Sequence, residues 1–358
     1  MQRPTQTKPS LAFLLVRYRE FPLLAVFALL LIGVNLRIPG YLNNNYLNVL
    51  KGASINMVMA SGMLLVLLIG SIDISVSATL ALSGAIAGML MREGVIDSSA
   101  LMFAAGILIG ASVGALNGLL MSYGRILPII VTLGMSYITR ALIPMDWLLG
   151  LNKIARINLT DGFKTLLLDR GFLTLPMLVW IAAVVPVIIG LFLRYTRLGR
   201  DIYAVGSNES AARVRGVRVE RVKLFAHTVC GATAGLAGIL WLGYYNAIEK
   251  STATGDEMFT IAACVLGGVS VTGGYGKMTG VVIGALMIAT INSAIPQLRI
   301  GSSMITEFIK GILLLGAILL NVAVRRTAGR LERARVWGAG TSNSGASGAE
   351  PPAKRRVM

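Results

Sequence analysis

Long apolar stretches separated by short polar segments run through most of the chain. A helix needs about 20 apolar residues to cross the hydrocarbon core of a bilayer. On that measure ten stretches read as spans: 21–37, 53–72, 74–91, 101–123, 126–148, 173–193, 224–245, 257–270, 280–296 and 305–324. The eighth is short and carries Gly267 and Gly268, so it reads as broken or only partly spanning. In the loop 149–172, Phe163, Leu166, Leu167 and Leu168 beside Lys164 and Asp169 predict a short helix lying over the mouth of the bundle. The first stretch follows Arg3, Lys8, Arg17 and Arg19 in the manner of a signal peptide, but Arg37-Ile38-Pro39-Gly40-Tyr41 offers no small-residue cleavage site. It reads as a retained first span.

Composition agrees. Of 358 residues, 55% are hydrophobic and only 14% charged, against about 25% charged in soluble domains. That excludes an ordinary soluble protein and a disordered one. The formal charge of +17 would suggest nucleic acid in a soluble chain, but here its distribution sets the orientation. Basic residues gather before the first span, in 194–223 and after the last span. In 194–223 these are Arg194, Arg197, Arg200, Arg213, Arg215, Arg218, Arg221 and Lys223, against Asp201, Glu209 and Glu220. Six spans separate the first cluster from the second and four separate the second from the third. Both numbers are even, so all three clusters fall on the cytoplasmic side of one ten-span arrangement. The expected fold is all-α: a polytopic integral membrane protein with about ten transmembrane helices and both termini cytoplasmic. Residues 1–20 form a cytoplasmic segment, 21–324 the transmembrane domain, and 325–358 a basic, disordered cytoplasmic tail that can brush anionic membrane lipid.

The chain offers little catalytic chemistry. Cys230 and Cys264 lie in apolar spans and His227 is the sole histidine, so no metal spacing and no catalytic set is visible. Gly273-Gly274-Tyr275-Gly276-Lys277-Met278 fails as a phosphate loop, with Val271 where a glycine is needed and Met278 where a hydroxyl is needed. No cofactor and no catalytic residue is expected. Asp73, in Gly70-Ser71-Ile72-Asp73-Ile74-Ser75-Val76-Ser77, is either a helix cap at a turn facing the cytoplasmic side or a functional intramembrane charge. The intramembrane amides Asn56, Asn117 and Asn292 either bond between helices or line a polar path. Asp73, Ser75, Asn117 and Asn292 are the candidate pathway residues. Gly110, Gly114 and Gly118, spaced by four, permit close helix packing within or between chains. The segment 69–75 also echoes 266–272 weakly.

The loop 194–223 carries its own short helix. Ser207 or Asn208 can cap it, Glu209 falls in its first turn, Arg213 and Arg215 near its end, and Gly216 at the terminating position. Ala211, Ala212 and Val214 are available for docking. An ordinary amphipathic loop helix on lipid has the same pattern.

The run Leu198-Gly199-Arg200-Asp201-Ile202-Tyr203-Ala204-Val205-Gly206-Ser207-Asn208 through Ala211-Ala212-Arg213 to Gly216 resembles the coupling loop of ABC importer permeases of the ribose/xylose/arabinose class. Gly70 with Asp73-Ile74-Ser75-Val76, Gly124-Arg125 with Thr132-Leu133, and Ile261–Gly268 with Gly273, Gly274 and Gly276 are similar to the same family. The resemblance spans about residues 20–324. Ser77 departs from it, since the family usually has glycine there. The resemblance implies import of a monosaccharide or the sugar-like autoinducer-2 across a bacterial inner membrane. It also implies a separate ATPase subunit, a periplasmic-type binding protein and a second permease subunit. Arg200, Gly206, Ser207, Asn208, Glu209, Ala211, Ala212, Arg213 and Gly216 become the ATPase-coupling residues. Branched-chain amino acid or nucleoside import is the nearest alternative, and an ion-coupled carrier a more distant one.

Overall fold

The computed structural model describes residues 20–143, 161–169 and 171–298, with residues 308, 311, 312, 315 and 316. The expectations for the amino-terminal segment before residue 20, for most of the span 305–324 and for the tail lie outside these residues. The described residues form helices and loops with no extended strand among them. In chain order the helices are α1 (Glu20–Arg37), α2 (Tyr41–Leu68), α3 (Val76–Arg92), α4 (Ser99–Ser122), α5 (Pro128–Leu142), α6 (Asp161–Leu168), α7 (Met177–Tyr195), α8 (Arg197–Ser207), α9 (Glu209–Val214), α10 (Val219–Tyr245), α11 (Asp256–Leu266) and α12 (Met278–Gln297). Five of them, α2, α4, α7, α10 and α12, are long and apolar enough to cross a membrane. The shorter α1, α3 and α5 are also apolar.

Helix lengths explain where the reading from sequence shifts. α2 has 28 residues, about 42 Å at 1.5 Å per residue, and begins twelve residues before the predicted span. Its first turns, Tyr41-Leu42-Asn43-Asn44-Asn45, are too polar for a hydrocarbon core. They are tied to α12, where the Tyr41 hydroxyl donates to the Thr290 carbonyl at 3.2 Å and Asn45 donates to Gln297 at 3.0 Å. α11 has 11 residues, about 16 Å, half the thickness of a bilayer core. The break expected in the eighth span is therefore real. The short helix expected in the loop 149–172 forms too: α6 buries Phe163 and Leu167 against α4 and α10, with Phe103 and Phe163 rings 5.8 Å apart.

α10 is the centre of the bundle and packs on α2, α3 and α4. Glycine makes its approach to α4 close. A Cβ on Gly110 would run into the backbone of Gly231 and Gly235, and Gly106, Gly114 and Gly118 face Gly235, His227 and Leu224 in the same way. The four-residue glycine stripe thus serves packing within the chain. We expect Gly110→Ala to lower the unfolding temperature of the detergent-solubilised protein, by overpacking that costs about 1–3 kcal/mol. Gly134→Ala, where nothing lies within 4 Å, is the control. Equal unfolding temperatures for the two variants would contradict this packing.

Two loops meet at one end of the bundle. The Gly274 amide donates to the Leu68 carbonyl at the end of α2 at 2.8 Å. A Cβ on Gly70 would stand 3.3 Å from the Thr272 carbonyl oxygen. The two segments that echo each other in sequence are therefore neighbours in space.

Candidate functional site

The segment between α7 and α10 holds two helices where the sequence suggested one. Thr196 caps α8, its hydroxyl accepting from the Gly199 amide at 3.0 Å. Asn208 caps α9, its side-chain oxygen accepting from the Ala211 amide at 2.9 Å. Ser207 is not the cap: it ends α8 and its hydroxyl donates back to the Tyr203 carbonyl at 2.8 Å. Gly216 follows α9 with φ +82, a conformation that suits glycine.

α9 is held to the start of α10 by ion pairs. Lys223 donates to Glu209 at 2.8 Å, and Arg213 reaches Glu220 at 2.7 Å and Glu209 at 3.3 Å. The hydrogen bond from Lys223, with the charges of Lys223 and Arg213, holds the Glu209 carboxyl below its ordinary value of 4.5. A depressed carboxyl stabilises the fold above the ordinary glutamate range, and that contribution is lost as pH falls through the lowered value. Glu209→Gln should act like this acidification. We expect it to raise amide exchange across 208–216 by about fivefold at most, the scale of exposed ion pairs, with Ala226–Tyr245 unchanged. Hydrogen-exchange mass spectrometry checks this, and protection of 208–216 equal to wild type would contradict the pairing.

Ala212 differs from expectation. It is buried within the chain, while Ser210, Ala211 and Val214 are exposed. The short helix turns its Ala212 edge onto its own bundle, so a partner can reach only the opposite edge. Arg200, on α8, is exposed. Gly206 sits where α8 meets both loops described above. A Cβ there would overlap the Leu68 carbonyl oxygen and stand 2.6 Å from the Gly274 nitrogen. One turn earlier, the Tyr203 hydroxyl donates to the Gly276 carbonyl at 2.8 Å. α8 is thus wedged against the end of α2 and against the turn between α11 and α12.

Beyond the wedge lies a buried polar cluster. Asp73 is 2% exposed, and its Oδ1 accepts from the Ser75 amide at 2.9 Å and the Ser75 hydroxyl at 2.6 Å. Ser75 in turn accepts from Asn117 Nδ2 at 2.9 Å. His227 Nδ1 stands 3.6 Å from Asp73 Oδ2, and its Nε2 is 3.0 Å from the Ser71 hydroxyl. Asp73 is therefore no solvated turn residue. It shapes the entry to α3 through Ser75, which itself occupies the N-cap position. Ser71 and His227 also line a cavity of about 660 Å³ whose rim carries Glu209, Arg213, Glu220 and Lys223. The sequence-predicted pathway residues Asp73, Ser75 and Asn117 come together here. Asn292, on α12, does not join them, and its Oδ1 is buried without a partner among the described residues. Asn56 bonds between helices, accepting from Thr260 at 3.0 Å.

A second polar group lies further along α3. Arg140 donates to the Lys250 and Thr252 carbonyls at 2.9 and 3.0 Å and to the Ser77 hydroxyl at 3.1 Å. Ser77 donates to Glu257. Arg140 thus anchors the loop before α11 to α3, and the hydroxyl at the departing position Ser77 takes part.

Residues 45–318 match the family model described as branched-chain amino acid transport system / permease component. The chain belongs to this family. Among relatives of this permease family, the ribose import permease protein RbsC of Escherichia coli strain K12 is 36% identical over 301 residues, 84% of this chain and 92% of that protein. RbsC of Bacillus subtilis strain 168 is 36% identical over 302 residues, 84% and 91% of the two chains. The autoinducer 2 import system permease protein LsrC of Yersinia enterocolitica is 33% identical over 317 residues, 85% of this chain and 81% of that one. No solved structure matches the chain. The resemblance read from the coupling segment holds: this permease is a polytopic, all-helical membrane protein of the sugar and autoinducer-2 importer class. His227 is the site residue that the sequence reading passed over. It sits 154 positions from Asp73, and its only signal is an imidazole inside an apolar span.

Proposed function

We propose that this chain is the transmembrane permease subunit of an ATP-driven importer and forms the path for a monosaccharide. The observation that carries this reading is the similarity to the ribose permeases over 84% of the chain. Autoinducer-2 is the second reading, favoured by the similarity to LsrC. ATP is hydrolysed on a separate subunit, a binding protein delivers the solute, and a second permease subunit completes the path. The protein resides in a bacterial inner membrane with ten spans and both termini cytoplasmic. Residues 1–20 and 325–358 flank a permease domain of 21–324.

In this reading the ATPase docks on the exposed edge of α9, at Ser210, Ala211 and Val214. Asn208 and Gly216 bound that helix, Glu209 and Arg213 tie it to α10, and Arg200, Gly206 and Ser207 belong to the strut behind it. Asp73, Ser75 and Asn117 stand beside the path, and Asn292 offers a further polar group from α12. Ala212 supports the fold of the docking element.

Uptake in proteoliposomes holding this chain, its ATPase and its binding protein tests the proposal. ATP-dependent accumulation of ribose or a related pentose is expected, with autoinducer-2 as the second substrate to try. Accumulation of leucine and of neither of these would overturn it. Ala211→Trp, on the exposed edge, is expected to leave the chain inserted and to cut uptake by tenfold or more, through steric exclusion of the ATPase. Wild-type uptake and ATPase stimulation in this variant would sink the docking assignment.

A further inference from the structure

At the end of the bundle that carries α9, the turn between α4 and α5 lies beside the start of α10. A concavity of about 320 Å³ opens between them, lined by Ser122, Tyr123, Arg125, Arg218, Glu220 and Arg221. Three guanidinium groups face one carboxylate, and that carboxylate is taken by Arg213 at 2.7 Å. The side chains of Arg125, Arg218 and Arg221 are exposed and have no ion-pair or hydrogen-bond partner among the described residues. Ser122 is 8% exposed and lines the same concavity, and its hydroxyl oxygen is buried with no hydrogen-bond partner among the described residues. α10 begins here with no side-chain cap, which adds its positive dipole end. Three guanidinium groups without partners among the described residues, set round a concavity beside a helix start, make a site for a phosphate group.

The surroundings say which phosphate. Leu116, Leu119 and Leu120 of α4 are exposed just before Ser122, and Ile126 and Leu127 are exposed just after Arg125. Arginines set beside an exposed apolar face match a molecule with a charged head and apolar chains. By the distribution of charge along the chain, this end of the bundle faces the cytoplasmic leaflet, where anionic lipids raise the local negative potential.

We propose that this concavity binds the headgroup phosphate of an anionic phospholipid, whose acyl chains run along the exposed leucines of α4. The site flanks Glu220, the α10 end of the ion pair that holds α9. A bound headgroup fixes Arg218 and Arg221 on either side of that residue and steadies the base on which α9 rests. The proposal rests on the membrane setting and on the orientation given above, and it is independent of which solute is carried.

Native mass spectrometry of the full-length chain in detergent, titrated with phosphatidylglycerol or phosphatidylcholine, tests it without a transport assay. Phosphatidylglycerol is expected to bind about tenfold or more tightly than phosphatidylcholine. The triple variant R125Q/R218Q/R221Q should weaken phosphatidylglycerol binding on the order of a hundredfold, and Arg221→Gln alone by about fivefold. All three side chains are exposed and unpaired, so the fold should persist; should the triple variant fail to fold, the single variant decides. The charge-matched tail variant K354Q/R355Q/R356Q, which touches lipid only loosely, should lose no more than about twofold. Equal binding of the two lipids, unchanged affinity in the Arg221 variant, or an equal loss in the tail variant would overturn the proposal. So would displacement by millimolar inorganic phosphate, which would make this a site for free anions. A dimer that forms with this face covered and lipid-free would overturn it too.

Discussion

Gly206→Val is expected to abolish uptake while leaving the chain in the membrane. Any side chain at 206 overlaps the carbonyl that ends α2 and crowds the Gly274 amide, which donates to that same carbonyl. To admit valine, α8 must lift from both contacts. The backbone at these points has no flexible tip that could yield, so the strain falls on the loops themselves. In the proposed function α8 is the strut between the ATPase-docking helix and the transmembrane helices. Lifting it separates the motor from the bundle. We expect uptake to fall at least a hundredfold, ATPase stimulation by loaded binding protein to vanish, and yield in membranes to stay within about twofold. Ala204→Val, one half-turn away, should keep most activity. Transport in Gly206→Val within twofold of wild type would show that force enters elsewhere.

Asp73→Asn is expected to have the next largest effect. The carboxylate accepts two hydrogen bonds from Ser75 and faces His227. Hydrogen bonds to a charged group are worth about 1.5–3 kcal/mol; an amide oxygen still accepts from Ser75 but more weakly, and the amide nitrogen puts a donor where the second carboxylate oxygen faced His227. The amide keeps the volume, so the change isolates polarity from packing. We expect a lower unfolding temperature and a fall in uptake of about tenfold or more. His227→Gln should do less alone and add little to Asp73→Asn, because both act on one cluster. Strictly additive effects would mean that the two side chains do not work together.

Much of this architecture was legible in the sequence, and the reasons differ by element. The apolar stretches follow from the length of a bilayer crossing, so α4, α7, α10 and α12 sit where the pattern puts them. The helical start at Tyr41 did not show, because polar residues outside the hydrocarbon continue a helix without an apolar signature. α8 was hidden by the better capping signal at Asn208, although Thr196 carries a cap of its own. The inward edge at Ala212 has no signature, because a six-residue helix gives too little periodicity to say which edge is buried. The union of Asp73, Asn117 and His227 depends on how α4 and α10 pack on the loop before α3. That is a long-range arrangement with no local imprint. The glycine stripe on α4 announced a close contact but not its partner, since a small-residue face fits a neighbour in the same chain as well as one in another.

That contact bears on how the protein is made. Gly110 meets Gly231, and more than a hundred residues of synthesis separate the two. At about 5–20 residues per second, α4 waits roughly 6–24 s for its partner helix to leave the ribosome. During that time its bare glycine face is open to any small-residue helix nearby. The insertion machinery therefore has to shelter α4 until α10 arrives. A ribosome stalled between residues 150 and 220 should leave a nascent chain that can be crosslinked from position 110 to an insertase, and release of that crosslink should coincide with the emergence of α10.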